Sequence, residues 1–415
     1  MHDDTIQLRQ PTDTLDGLRA WSRPVADAFG GDLSEAELEG ERYQLEPDRL
    51  IGAVDADAWV GAGGAFSFRL TVPGGGEVGA AGITMIGVSP SHRRRGILRQ
   101  MMGWMLDQAR ERGEPVAILW ASEGAIYQHF GFGIATLQGY FDIERSRVHF
   151  ARPTEALGQM RLVDRDEGMG LIPPVYEVVR ARMPGSISRT DAKWRRELLD
   201  DAEWMRQGNG RKFLAVLEVD GVVRGYAIYR IKAEWDDRGP NNTLLAMEVA
   251  GLDAAAERAV WAWLFGIDLV GHVKAMRGPV PNPLMLQLTE PRRLAMGVRE
   301  GLWLRLLDVR AALEARSYGR QGSVTFELTD ESCPWNAGRW RLDVPGDRGV
   351  ATVTPFTGDP DLTLDTSDLA TAYLGAFTFA DLARAGRAGE CRPGAVAAAD
   401  ALFGTAEAPW CSTMF

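Results

Sequence analysis

Residues 83–100 read ITMIGVSPSHRRRGILRQ. The stretch opens as a β-branched, apolar run, turns at Ser89-Pro90-Ser91, and passes through Arg93, Arg94, Arg95 and Gly96 into residues at helical spacing. Strand, basic turn, helix is the reading. In that geometry the unpaired N–H groups of the first helical turn point outward together, and with the helix dipole they make a site for phosphate. Gly96 lets an anion approach the backbone, where a side chain would stand in the way. Taken alone, the arginines have a plainer explanation as a solvated basic helix start.

The segments on either side favour the phosphate reading. In the helix, Ile97, Met101, Met105 and Ala109 fall on one line and Leu98, Met102 and Leu106 on the next, so the methionines pack against a sheet and Gly113 closes the helix. A second buried strand follows at residues 116–121, and then residues 122–132 read SEGAIYQHFGF. Upstream, residues 14–29 have helical spacing, residues 50–54 and 64–72 read as strands, and Gly74-Gly75-Gly76 turns the chain into the strand that ends near Val88. A right-handed strand, helix, strand unit results, of the kind that binds ligands at the carboxyl ends of its parallel strands.

Here the sequence resembles the GNAT acetyltransferase superfamily. Arg93-x-x-Gly96-x-Leu98 is similar to its R/Q-x-x-G-x-G/A pyrophosphate loop, with Leu98 where glycine or alanine is usual, and Tyr127-x-x-x-Gly131-Phe132 is similar to its second acetyl-CoA motif.

Composition bounds the rest. A chain of 415 residues implies two or three domains. Its net charge of −11, from 46 basic and 57 acidic side chains, argues against nucleic-acid partners and leans towards cationic small molecules. Cys333, Cys391 and Cys411 lack metal-ligand spacing, which predicts a reducing compartment, no disulfide framework and no metal. The opening MHDDTIQLRQ has neither a basic lead nor an apolar core, and no run reaches membrane-spanning length, so a cytoplasmic protein with no membrane partner is expected. Seven acids between residues 31 and 50, centred on Glu35, Glu37, Glu39 and Glu41, read either as an acidic wall for an amine or as a solvated helix face.

Beyond Arg152-Pro153 the first section repeats in outline. Residues 213–219 and 222–231 form a hairpin, and strand 244–250, helix 253–267 and strand 273–276 follow. After the first of those strands comes Gly251-Leu252-Asp253, where an acid replaces the arginines and repels phosphate. From about residue 301 strands and alanine-rich helices resemble sterol-carrier-like domains, which can hold lipid in an apolar tunnel or serve as a support. An α+β chain is predicted, with an intact GNAT-like domain at 1–150, a degenerate GNAT-like domain at 151–297, and a sterol-carrier-like α/β domain at 298–415.

That layout resembles the Eis family of N-acetyltransferases, and the resemblance spans essentially the whole chain. It implies acetyl-CoA as co-substrate, a homohexamer, and acetylation of amines on small molecules such as aminoglycosides, with protein or peptide lysines as the alternative acceptor and a lipid carrier as a further rival. It implies that Ile86, Gly87 and Val88 align the pantetheine arm and that Arg94, Arg95, Gly96, Ile97, Leu98 and Arg99 cradle the pyrophosphate. Ser122 and Glu123 line the far side. By the same resemblance Tyr127 is the general acid, since a phenol with a pKa of about 10 is protonated at neutral pH. The α-carboxylate of Phe415 is the base or cation anchor, and Asp27 or the nearby glutamates are candidates for holding the amine.

Overall fold

The computed structural model of the protein describes residues 6–32, 34–153, 157–237, 239–346 and 350–415. The chain divides into two compact units, one holding residues up to Thr136 with Leu302–Glu407 and Met414–Phe415, the other holding Leu137–Gly301 and Ala408–Thr413.

In the first unit a seven-stranded sheet runs in the order Ile6–Arg9, Leu50–Asp55, Ala58–Thr71, Glu77–Val88, Val116–Trp120, Leu302–Leu306, Gly133–Ile134. Neighbours are antiparallel except Glu77–Val88 and Val116–Trp120, which run parallel and are joined by the helix Ile97–Glu111. The methionine stripe does what its spacing predicts. Ile97, Met101, Met102, Met105, Leu106 and Ala109 are all buried, packed with Ile51, Ala53, Ala117 and Leu119 of the sheet. Burying each large side chain of this kind contributes roughly 1.5–3 kcal/mol. The helix Leu15–Phe29, capped by Thr14, buries Leu18 and Trp21 with Leu50 and Ala62, and the Trp21 indole donates to the Ile51 carbonyl at 2.7 Å.

The same unit contains a five-stranded sheet in the order Thr352–Pro355, Gly338–Val344, Gly322–Thr329, Leu362–Asp365, Ala388–Glu390. Against it Phe326 stacks on Phe379 and Phe403 meets both edge-on, in a buried aromatic cluster. These rings occupy the interior of the sterol-carrier-like module.

In the second unit the sheet order is Gly297–Glu300, Leu137–Glu144, Val270–Gly278, Asn242–Gly251, Val222–Lys232, Lys212–Val219, Gln159–Val163. Asn242–Gly251 and Val270–Gly278 are its parallel pair, and the helix Ala254–Phe265 connects them. The helix Arg165–Arg180 contains Pro173 and Pro174.

Two strands fall on the other side of the boundaries read from the sequence. Leu137–Glu144, expected within residues 1–150, pairs with Val270–Gly278 in the second sheet. Leu302–Leu306, expected within the last domain, pairs with Val116–Trp120 and Gly133–Ile134 in the first. Period-two patterning identifies a strand but carries no information on its partner. Among the described residues no helix is long and apolar enough to cross a membrane.

Candidate active site

The first sheet forks where its two parallel strands part. Their register consists of Ala80 with Val116, Ala81 with Ala117 and Gly82 with Ile118, although the first strand continues to Val88. A β-bulge lies just beyond the last pair. Ala62 faces Gly87 and Gly64 faces Thr84, so Gly63 stands opposite both Met85 and Ile86. Met85 takes a φ of +54°, a sparsely populated conformation for a side chain with a Cβ. Such a bulge bends and over-twists its strand, and residues 83–88 are thereby released from the neighbouring strand. Gly87 lies under the helix Leu15–Phe29: a Cβ there would come 2.6 Å from the Cα of Val25.

The loop after the fork is built for an anion. Arg93 is extended, Arg94 has a φ of +65°, and Gly96 is the helix N-cap at φ +83°, with no side-chain capping bond. The donors of the first helical turn are therefore not taken by a capping side chain. A Cβ on Gly96 would meet nothing within 4 Å, so conformation and not crowding requires glycine here. Asp55, at the end of the strand Leu50–Asp55, fastens the loop from below. Its carboxylate meets His92 Nε2 at 3.2 Å and Arg95 Nη1 at 3.4 Å.

A cavity of about 1220 Å³ opens beside the fork. Ile86, Gly87 and Val88 line it from the strand, and Arg94, Gly96, Ile97, Leu98 and Arg99 from the loop and helix. Ser122, Glu123 and Tyr127 line it from the opposite strand's exit, and Arg93 also faces it. Of the residues assigned to acetyl-CoA or to catalysis in the sequence, Arg95 and Phe415 are outside this lining, and so are Asp27, Glu35, Glu37 and Glu39. Arg95 is turned to Asp55, a contact the sequence did not signal because 40 residues separate the two.

Tyr127 sits on the short helix Gly124–Gln128 and is 6 % exposed. Burial, reinforced by the charge of Glu123 and opposed by a hydrogen bond from Ser122, raises its pKa above the ordinary tyrosine value. The turn behind it closes with Gly131 at φ +77°, where the Phe132 amide donates to the Tyr127 carbonyl at 3.2 Å. Phe132 meets the Tyr127 ring edge-on at 6.2 Å between centroids.

Phe415 lies at the root of the fork. A Cβ added to Gly82, the last paired residue of its strand, would come 3.0 Å from Phe415 Cε2. The acidic run behaves as a solvated helix face: Glu37 closes a capping box with Ser34, and Glu35 pairs with Arg19 at 3.0 Å. The side chain of Glu41 is outside the described residues, and Asp27 is exposed on its helix.

The corresponding helix of the second unit starts differently. Asp253 caps it, accepting from the Ala256 amide at 2.8 Å, and also pairs with Arg224. That helix start already holds a carboxylate, so an anion is repelled there. In the same unit residues 408–413 are held by side chains. Arg189 donates to Thr413 Oγ1 at 2.8 Å and to Ser412 Oγ at 3.1 Å, and makes a two-pronged pair with Glu248.

Comparison with known proteins agrees with this architecture. Residues 12–135 and 185–331 each match a family model described as an acetyltransferase (GNAT) domain, and residues 309–412 match a sterol carrier protein domain. The chain is 42% identical over 418 residues to an uncharacterized N-acetyltransferase of Streptomyces avermitilis, with 99% of each covered. It is 35% identical over 344 residues to N-acetyltransferase Eis of Mycobacterium tuberculosis, covering 81% of each. Among solved structures, Eis1 from Mycobacterium abscessus superposes with a TM-score of 0.85 at 33% identity, over 99% of this chain and 100% of the other.

Proposed function

Because the chain belongs to the Eis family of GNAT N-acetyltransferases, we propose that its fork binds acetyl-CoA and transfers the acetyl group to an amine of a small multi-amine molecule, with aminoglycosides as the acceptor class and several amines as targets. The bound thioester supplies an activated acetyl group. The residues fit that ligand: the helix start at Gly96 has no capping side chain, and Arg93, Arg94 and Arg99 surround it. In this reading the N–H groups of residues 96–99 hold the pyrophosphate. The released strand edge at Ile86, Gly87 and Val88 hydrogen-bonds the pantetheine arm and polarises the acetyl carbonyl.

Tyr127 then protonates the departing thiolate. Its raised pKa keeps the phenol protonated throughout the neutral range. The α-carboxylate of Phe415 serves the amine. A carboxylate of pKa roughly 3.5 is a poor acceptor from an ammonium near 10, a gap of about 9 kcal/mol. It therefore works on an amine whose pKa is already lowered by neighbouring charges, or through water, or as an anchor for the cation. A molecule with several amines meets the first condition by itself. By family resemblance the assembly is a homohexamer, which light scattering checks.

The observation that carries the reading is the Phe415 ring against Gly82, where the two parallel strands part. It is tested by comparing the native chain with one extended beyond Phe415 by a short tag, with neomycin and kanamycin as acceptors in a thiol-release assay. Loss of turnover with acetyl-CoA binding retained is expected. Full turnover in the extended chain sinks the Phe415 assignment, and no release with either acceptor sinks the aminoglycoside one.

A further inference from the structure

The turn that carries Tyr127 rests on residues from the far end of the sequence. A Cβ on Gly124, the first residue of its helix, would come 2.8 Å from the Trp303 ring. A Cβ on Gly131, which ends the turn, would come 2.6 Å from the Arg305 guanidinium. Trp303 and Arg305 are two apart on the strand Leu302–Leu306, so they project from the same face of the sheet. They are 2 % and 0 % exposed. Ser332 Oγ donates to the His129 carbonyl inside the turn at 3.2 Å, and Gly133 lies against Ser367 and Thr371. Arg305 is itself fixed, paired with the buried Asp330, which also accepts from the Cys333 amide at 2.8 Å. Both ends of the turn thus lie on side chains of one strand, and a third contact holds its middle.

We infer that Trp303 and Arg305 are positioning residues for acetyl transfer: they set the height and tilt of the Gly124–Gln128 helix and so the place from which the Tyr127 hydroxyl delivers its proton. This rests on the reading of Tyr127 as general acid. The flat indole and the guanidinium explain why glycine stands at both 124 and 131, and why the strand Leu302–Leu306 is built into the first sheet. A general acid displaced by about 1 Å loses much of its effect, whereas the phosphate loop sits on other strands.

The test is a pair of double-mutant cycles on the full chain. Trp303→Phe and Arg305→Lys are each measured alone and combined with Tyr127→Phe, with neomycin as acceptor, or a lysine peptide where neomycin gives no turnover. Each single variant is expected to lower kcat by roughly ten-fold with acetyl-CoA KM changed by less than about two-fold, and to cause no further loss once Tyr127 is phenylalanine. Equal losses in both backgrounds, or unchanged kcat in both single variants, overturn the inference. A Tyr127→Phe protein with full turnover overturns the general-acid reading instead. Trp303→Phe keeps an aromatic ring beneath Gly124, so it carries the test if Arg305→Lys does not fold.

Discussion

Phe415 and Phe68 meet with ring centroids 4.8 Å apart and planes inclined at 56°, and Phe66 abuts Phe68 edge-on at 6.1 Å. Phe68 is therefore the seat on which the last residue is held beside Gly82. An aromatic pair of this kind contributes about 0.5–1.5 kcal/mol beyond the area it buries. Phe68→Ala should lower kcat about ten-fold while leaving acetyl-CoA KM within about two-fold. Gly82→Ala should do the same without removing a ring, because its Cβ would come 2.4 Å from Phe68 and 3.0 Å from Phe415. Steady-state kinetics of the two variants check this, and unchanged kcat in both counts against Phe68 and Gly82 as the seat.

The phosphate loop depends on backbone conformation more than on its side chains. Gly96→Ala places a Cβ on a residue at φ +83°, at a cost of about 1–2 kcal/mol. If the loop yields to relieve that strain, acetyl-CoA affinity falls by roughly ten-fold, with kcat unchanged once the site is saturated. Asp55→Ala should act in the same direction by removing the carboxylate that meets His92 and Arg95. Isothermal titration with CoA reads both variants. Wild-type affinity in Gly96→Ala would mean that the helix start is not the binding element.

Much of this was legible in the sequence because it follows from local periods. The Met101, Met102 and Met105 stripe demanded a buried helix face, and Asp253 set an acid where the first section has arginines and Gly96. What the sequence did not disclose depends on partners far along the chain. The strand Leu302–Leu306 looks like any apolar strand, and nothing in LWLRL tells that it enters the first sheet. The bulge at Met85 has no glycine to mark it. Asp55 and Arg189 are single charged residues whose targets lie 37 to 40 and 223 to 224 positions away.

The acid role of Tyr127 has a pH signature. Burial, the largest cause, raises its pKa, so the protonated form persists to a higher pH than in a free tyrosine. The sign follows directly: an acid catalyst is lost as pH rises through its pKa, and that loss is displaced above about pH 10. The alkaline limb of kcat should therefore lie beyond the ordinary tyrosine range. Tyr127→Phe should abolish that limb and lower kcat by about 10²-fold. A kcat–pH profile of both proteins decides. An alkaline fall of the same midpoint in Tyr127→Phe would assign it to another group.

The hold on Ser412 and Thr413 is a buried network, and it sets how residues 408–413 are fixed within the second unit. Arg189 spends two donors on Glu248, at 3.0 and 2.6 Å, and two more on Thr413 and Ser412, while its guanidinium lies 3.7 Å above the Tyr176 ring centroid. Tyr176 in turn donates to the Ile187 carbonyl at 2.6 Å, and the Trp410 amide donates to the Pro184 carbonyl at 2.9 Å. Removing Arg189 leaves the Glu248 charge buried without its partner, which costs about 3–5 kcal/mol, so Arg189→Met should lower the melting temperature strongly. Thr413→Val is the milder change. It deletes one hydroxyl and leaves the ion pair intact, at about 1–2 kcal/mol. If the last two residues act in catalysis, loosening the segment before them should reduce kcat several-fold in Thr413→Val while CoA affinity stays at the wild-type level. Calorimetric melting, CoA titration and steady-state rates on the same preparations separate the two effects. A Thr413→Val protein that melts earlier but turns over at the wild-type rate would confine this network to stability.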